Sequence, residues 1–411
     1  MPIVTNLQTS LVRDANATLA TAFFPRWRGG FWQEIAGSYV STALVEPFAL
    51  DGAAPMLQVF NGSMSARGVA SWTLQVPNLL FKTIEDISRT SLEMDQTGTV
   101  LRRVAQMGIR LAQLPDFLMA KRIMTASLAS SATVAFSGSN YYTTFENGVP
   151  YFSTAHTTYA GGNQSNILQG NLPATIASVT AQNIAALANA MQQDVMNAIA
   201  TIATIVDDKG VQIFPSLDTE KHIVVMVPPV LRPVARLAFS TPGATIGGTN
   251  GTGGSSGATT SIGPMMVKRV VSSQLLAGCI DVEGATPAAT VSPVHQTDYY
   301  IWIEDDLCRP MYFQRFRPKK TGEYSPVGYN PEAAAAAAIA ACEKVGMNIS
   351  AEAADVYAQA EVDHNLSALG ANAQRSVVEQ EAFFMSPRMR GNVTYGPWFL
   401  GYRIDPGGYS T

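Results

Sequence analysis

Charge is scarce in this chain. Asp, Glu, Lys and Arg make up 14% of its 411 residues, well under the roughly 25% typical of soluble domains. A chain of this size with so little charge is expected to bury more than an ordinary monomer, in large subunit interfaces or in one big core. Cysteine is scarcer still. Cys279, Cys308 and Cys342 show no ligand spacing, which argues against a disulfide framework and fits a reducing compartment. No Lys/Arg stripe with interleaved aromatics is present, so sequence-specific nucleic-acid binding is not expected. The net charge of −4 would still suit the wall of a container that must not trap a nucleic-acid cargo. No run approaches the ~18 apolar residues that span a membrane. The start, MPIVTNLQTSLVRD, lacks the basic and apolar regions of a signal peptide. The Asn-x-Ser/Thr triplets at Asn61 and Asn392 then read as chance matches. The Gly/Ser/Thr-rich stretch 241–264 reads as a mobile loop, not a phosphate loop: its first following lysine is Lys268, inside a strand-like stretch.

What is present begins with a ribbon at 57–94. Trp72, Leu74 and Val76 alternate with Ser71, Thr73 and Gln75, which is strand periodicity. Leu80, Ile84, Leu92 and Met94 share one parity on a second arm. A two-stranded ribbon is marginal alone in water, so it must lie on something else, and a neighbouring copy of the chain is the natural candidate. Residues 1–55 read as an extended arm with some helix, sticky with Phe23, Phe24, Trp27, Phe31 and Trp32.

Helical spacing runs from about Thr97 to Ala129, with Thr97 or Thr99 as a candidate cap and Gly108 and Pro115 interrupting the pattern. Pro115 either kinks this helix or starts a second one. A second amphipathic helix is expected over 175–201. KHIVVMVPP at 221–229 reads as a strand buried on both faces, followed by a short helix over 229–239. Strands are expected over 267–276, 299–304, 310–317, 377–389 and 393–403. The Ala-rich stretch 331–370 reads as helix. The class is α+β, with no alternating βαβ series and no fixed-period repeat. The length suggests two to three domains.

Candidate chemistry is thin. His156 near Ser153 lacks the spacing of a nucleophile–base pair and a third group, so a structural histidine is expected. His222, His295 and His364 show no metal spacing, and no cofactor is expected. Asp207-Asp208 and Glu304-Asp305-Asp306 read as turns. Arg102, Arg103, Arg110, Lys121 and Arg122 form a basic helix face, solvated unless it meets an acidic neighbour, a scaffold or DNA. Glu85, Asp86 and Arg89 are the best interaction candidates, since ribbon charges can choose partner and register.

Several segments, in order, resemble one family. GVPYFSTAH at 148–156, LDTEKHIVVMVPPVLRPVARLAF at 217–239, VVSSQLL at 270–276 followed by DYYIWIED, and FFMSPRMRGNVTYGPWFLGYR at 383–403 resemble tailed-bacteriophage major capsid proteins of the Hong Kong 97-type (HK-97) fold, in particular the major head subunits of Mu-like phages. The resemblance implies a non-enzymatic protein that self-assembles into hexamers and pentamers of an icosahedral shell around double-stranded DNA. It further implies assembly in the host bacterial cytoplasm, scaffold and portal partners, and possible decoration proteins. It divides the chain into an N-terminal arm (1–56), an extended loop (57–94) and a peripheral domain (95–172) with a spine helix (97–129). An axial domain (173–330), an Ala-rich helical insertion that the family pattern does not require (331–375) and return strands (376–411) follow. Inter-subunit contacts would fall on Trp72, Leu74, Phe81, Lys82, Glu85, Asp86 and Arg89, and a spine-helix kink on Pro115. The rival readings are an encapsulin-like nanocompartment shell and a soluble hydrolase using His156.

Overall fold

A computed structural model describes residues 17–51, 71–83, 85–88, 98–127, 133–136, 139–142, 149–157, 163–207, 210–214, 217–239, 267–281, 290–305, 308–316, 362–363 and 382–406. The Gly-rich loop 241–264, Arg89, and all of the Ala-rich segment but Val362–Asp363 lie outside them. In chain order the main elements are helix α1 (17–28) and strands β1 (Ala36–Ser41), β2 (Val45–Asp51), β3 (Ser71–Pro77), β4 (Leu79–Lys82) and β5 (Glu85–Ser88). Then come helix α2 (Thr99–Thr125), β6 (Ile167–Gln169), α3 (Ile184–Ile202), β7 (Ile223–Val227) and α4 (Arg232–Phe239). The last are β8 (Arg269–Ser272), β9 (Tyr299–Ile303), β10 (Met311–Phe316), β11 (Ala382–Tyr395) and β12 (Gly401–Asp405).

Two sheets organise most of these strands, while β2 and β3 form a two-stranded sheet of their own. The first runs β1–β10–β11, and β4, β5 and the short strand Val362–Asp363 also pair with β11. The second has the order β6–β12–β9–β7–β8. Every residue of β7, β9 and β12 is buried, because the second sheet separates two apolar layers. Ile223, Val225, Val227, Tyr299, Ile301 and Ile303 face α3 and α4. The alternate residues Val224, Met226, Tyr300 and Trp302 join the layer that holds α1 and α2. The continuous apolar run thus has the two-sided burial that such runs imply.

The aromatic arm packs on its own chain. Phe23, Phe24, Trp27, Phe31 and Trp32 are all buried; Trp27 lies edge-on to Phe313 and to Trp32, and Trp32 is tilted against Phe313. The arm crosses α2 at Gly108, where a Cβ would sit 2.6 Å from the Leu19 carbonyl oxygen. That close approach explains the glycine that breaks the helical pattern. α2 is one helix through Pro115, so the proline does not start a second. Its cap is Gly98 at φ +67, a left-handed residue with no side-chain cap bond, not Thr97 or Thr99.

Other expectations shift. The helix expected over 175–201 begins only at Ile184. The strand expected over 267–276 ends at Ser272 and passes into a 3-10 turn, Gln274–Ala277, with Ser273 accepting the Leu275 N–H. Val362–Asp363, inside the stretch read as helix, pairs as a strand with Pro387 and Ser386.

Candidate assembly surfaces and the motif junction

Among the described residues, the arms of the ribbon do not pair with each other. β3 pairs antiparallel with β2, upstream of it, while β4 and β5 pair with β11 near the other end of the chain. The alternation in β3 therefore reports a core of its own: Leu74 and Val76 are buried, Thr73 and Gln75 exposed. Polar side chains lock the ribbon root. Asn78 donates to the Ser41 hydroxyl at 2.8 Å and the Ala43 carbonyl at 2.6 Å. Asn392 and Gln314 donate to the carbonyls of Pro77 and Val76.

Of the expected contact residues, Leu74 is therefore committed to its own subunit. Trp72 stands opposite Leu50, and Phe81, half-buried, stands opposite Met389. Lys82, Glu85 and Asp86 stand opposite Arg388, Met385 and Phe384. Pro115 is buried inside α2. Exposed apolar side chains lie at the root instead: Leu44 is 59% exposed and Leu80 47%, with the Asn78 N–H donating to the Leu44 carbonyl between them.

Two motif segments meet at one junction. Tyr151 stacks on Tyr395 at 4.6 Å, and His156 stacks almost parallel on Trp398 at 4.3 Å. Gly396 donates its N–H to the Pro310 carbonyl, and a Cβ there would fall on the Arg309 carbonyl oxygen. This steric demand explains the glycine of the Tyr-Gly-Pro-Trp turn. Asn166 rivets the junction and is fully buried. Its amide nitrogen donates to the carbonyls of Tyr151, Gly401 and Trp398, and its oxygen accepts the Ser153 N–H at 2.8 Å. The ring nitrogen Nε2 of His156 lies 3.0 Å from the Tyr151 carbonyl and 3.2 Å from Asn166 Oδ1. Two acceptors require that Nε2 carry the proton. Burial depresses the imidazole to about 4, and no pairing with Ser153 arises. The sequence reading missed Asn166; only its place just after the histidine run hinted at it.

Residues 15–184, which include the ribbon, α2 and the histidine run, match the family model described as the Mu-like prophage major head subunit gpT. The matched segment is similar to the Mu-like head subunits, and the chain is a phage major capsid protein. Its architecture is α+β; it forms an icosahedral shell and acts as a structural component of the virion capsid, not as an enzyme. Solved structures similar to this capsid protein include the bacteriophage PhiM1 mature capsid (TM-score 0.46, 10% identity, 92% of this chain and 88% of that one). The capsid of cyanophage P-SCSP1u is also similar (0.43, 12%, 90% and 87%), as is a virus-like particle from Pyrococcus furiosus (0.40, 8%, 94% and 98%). No curated protein sequence matches the chain.

The capsid protein concentrates its charge at a few seams. Glu304, read as part of a turn, is buried and pairs with Lys268, Arg269 and Arg309, and Arg269 also pairs with Glu34 at 2.8 Å. This network ties the arm to the second sheet. The basic face of α2 is only partly solvated: Lys121 pairs with Asp281 at 2.8 Å and Arg122 is buried, while Arg102, Arg103 and Arg110 are exposed. Asp116, one residue past Pro115, accepts the Trp32 N–H at 3.0 Å. Burial raises its carboxyl to about 6, against the lowering effect of that bond and of Arg26.

Proposed function

We propose that this capsid protein assembles as hexamers and pentamers around double-stranded DNA, in the host bacterial cytoplasm. Separate scaffold and portal proteins, and possible decoration proteins, are its partners. The family match over 15–184 carries this reading. The proposed division is the arm (1–56), extended loop (57–94), peripheral domain with spine helix (95–172), axial domain (173–330), helical insertion (331–375) and return strands (376–411).

The ribbon grips a neighbouring copy through Trp72, Phe81, Lys82, Glu85, Asp86 and Arg89, joined by Leu44 and Leu80. Exposed ion pairs contribute only ~0–1 kcal/mol each, so apolar contacts supply most of the affinity. An obligate interface of more than ~2,000 Å² sums many such modest contacts. Pro115 lets α2 change its bend between precursor and mature shells; equal bends in both would count against that. Negative-stain microscopy of the expressed chain tests assembly, and nucleic acid in the particles, or its absence, tests the cargo. Deleting all of 57–94 would remove Leu74 and Val76 from the core. The informative deletion is a shorter one within 52–70, which should leave a folded chain that forms no stable shells.

A further inference from the structure

A turn holding His295 and Asp298 meets Asp405, more than a hundred residues further on, beside the end of β12. His295 and Asp298 close a turn just before β9, and Asp405 ends β12. One donor atom from each, His295 Nδ1 and an oxygen of either carboxylate, lies within 4.8 Å of the other two. Asp298 is 2% exposed and Asp405 5%, while the His295 side chain keeps 31% of its surface. The site is thus buried on the carboxylate side and open on the imidazole side.

We propose that His295, Asp298 and Asp405 form a binding site for one divalent transition-metal ion, with Zn²⁺ the best fit. Unmet bonding capacity supports it. Asp298 Oδ1 is a buried oxygen that accepts no hydrogen bond, and His295 Nδ1 is a buried nitrogen that makes none. His295 Nδ1 lies 2.9 Å from Asp405 Oδ1 and 3.5 Å from Asp298 Oδ1. At 2.9 Å the first pair is close enough for a hydrogen bond but is not aligned for one. A proton on Nδ1 would serve one carboxylate; a cation between the three atoms serves all of them. Donors about 2.0–2.2 Å from a metal stand roughly 3–4 Å from each other, close to these separations. One imidazole and two carboxylates make a borderline donor set that favours Zn²⁺ or Mn²⁺ over Mg²⁺ and Ca²⁺.

The outer atoms are already organised as a metal site requires. Arg403 takes the far oxygens: its Nη2 is 3.1 Å from Asp405 Oδ2 and its Nε 3.6 Å from Asp298 Oδ2. That leaves the Oδ1 atoms turned toward His295. The His295 N–H donates to Asp298 Oδ2 at 3.0 Å, Thr297 Oγ1 to the Pro173 carbonyl, and Gly170 N–H to the Asp405 carbonyl. These bonds hold the ligands on rigid backbone. Arg403 Nη1 reaches Ser127 just beyond α2, so an ion here would pin the long helix to the second sheet.

The test is calorimetric titration of the purified full chain with ZnCl₂, MnCl₂, CaCl₂ and MgCl₂, assembled or not, so failed assembly and failed metal binding stay separate results. The expected result is one Zn²⁺ per chain, with a higher Tm on binding. Affinity should fall at least tenfold in His295→Gln and in Asp405→Asn, with Mg²⁺ and Ca²⁺ binding at least tenfold more weakly than Zn²⁺. His295→Gln, at a half-open position, keeps the test valid should Asp405→Asn fail to fold. No Zn²⁺ binding overturns the proposal. So does undiminished binding in the His295→Gln chain, or Ca²⁺ binding as tight as Zn²⁺.

Discussion

The two sheets differ in where their second face finds its partner. In the second sheet, β7 and β9 are covered on both faces by the chain itself, with α3 and α4 on one side and the α2 layer on the other. In the ribbon strand β3 burial alternates from Thr73 to Val76, and exposed apolar residues collect at the root, beside the first sheet. A sheet that completes itself within one chain holds the fold. A sheet with apolar side chains left over is where a shell protein can meet its neighbours.

The largest effect should come from the self-completed sheet. Trp302 is fully buried between the layers, and Trp302→Ala should cost about 3–5 kcal/mol of unfolding free energy by the transfer and cavity terms. Leu74→Ala, in the ribbon, should still cost about 2–4 kcal/mol, because Leu74 is 4% exposed. Chemical denaturation of both variants checks the contrast. A Leu74 variant as stable as the parent would return β3 to the status of a coreless arm. Asn166→Ala comes next. It takes the amide donor from the Trp398 and Gly401 carbonyls and the acceptor from the Ser153 N–H, while the Tyr151 carbonyl keeps the His156 Nε2–H, at roughly 1–3 kcal/mol for each group left without water. A total loss on the order of 4 kcal/mol should appear in the same assay, and a loss under about 1 kcal/mol would mean water replaces the amide.

Two buried groups titrate in opposite senses. Asp116 sits at about 6 against an ordinary carboxyl near 3.8. Below pH ~4 both states bind its proton; as pH rises toward 6 the unfolded state loses it first, so stability falls with rising pH. His156 sits at about 4 against an ordinary 6.5. As pH falls from 6.5 toward 4 the unfolded state gains a proton that the folded state refuses, so stability falls with falling pH. Each amounts to about 3 kcal/mol, and between pH 4 and 6 they largely cancel. Asp116→Asn should expose the histidine slope, with stability rising steadily from pH 4 to 6.5. Denaturation midpoints across that range decide it, and an unchanged pH profile would count against the buried carboxyl.

The sequence was readable wherever the chain completes its own burial. The runs IVVMV and YYIWI announce two-sided strands, and the spacing from Val104 to Ile123 announces α2, because local pattern and tertiary burial agree there. Partnership was not readable. Nothing local shows that β3 turns back to β2 while β4 joins β11, since strand pairing depends on backbone groups that every sequence carries alike. Gly108 looked like an interruption until the Leu19 carbonyl came to rest against it. Asn166, and the cluster of His295, Asp298 and Asp405, were hidden for a related reason. Asn166 finds partners as distant as Trp398 and Gly401, and Asp405 joins the His295–Asp298 turn from more than a hundred residues away, so no spacing rule could gather them.

The smallest effect on folding should come from the ribbon root, and it sharpens the comparison most. Leu44 and Leu80 are about half exposed, so Leu44→Asp and Leu80→Asp should change unfolding free energy by no more than about 0.5 kcal/mol. In a shell, however, each aspartate would have to leave water against a neighbour's surface, and an unpaired buried charge costs several kcal/mol. Repeated in every subunit, that cost should abolish closed particles while leaving the monomer folded. Ile280→Asp, at a side chain 56% exposed beyond the first sheet and ribbon, is the matched control and should assemble normally. Thermal melts confirm that all three chains fold, and microscopy with sedimentation counts the shells. Normal shells from both ribbon variants would show that the root is not a subunit contact. Failure of all three alike would show that assembly tolerates no new charge on exposed apolar sites, and that the first sheet has no special claim.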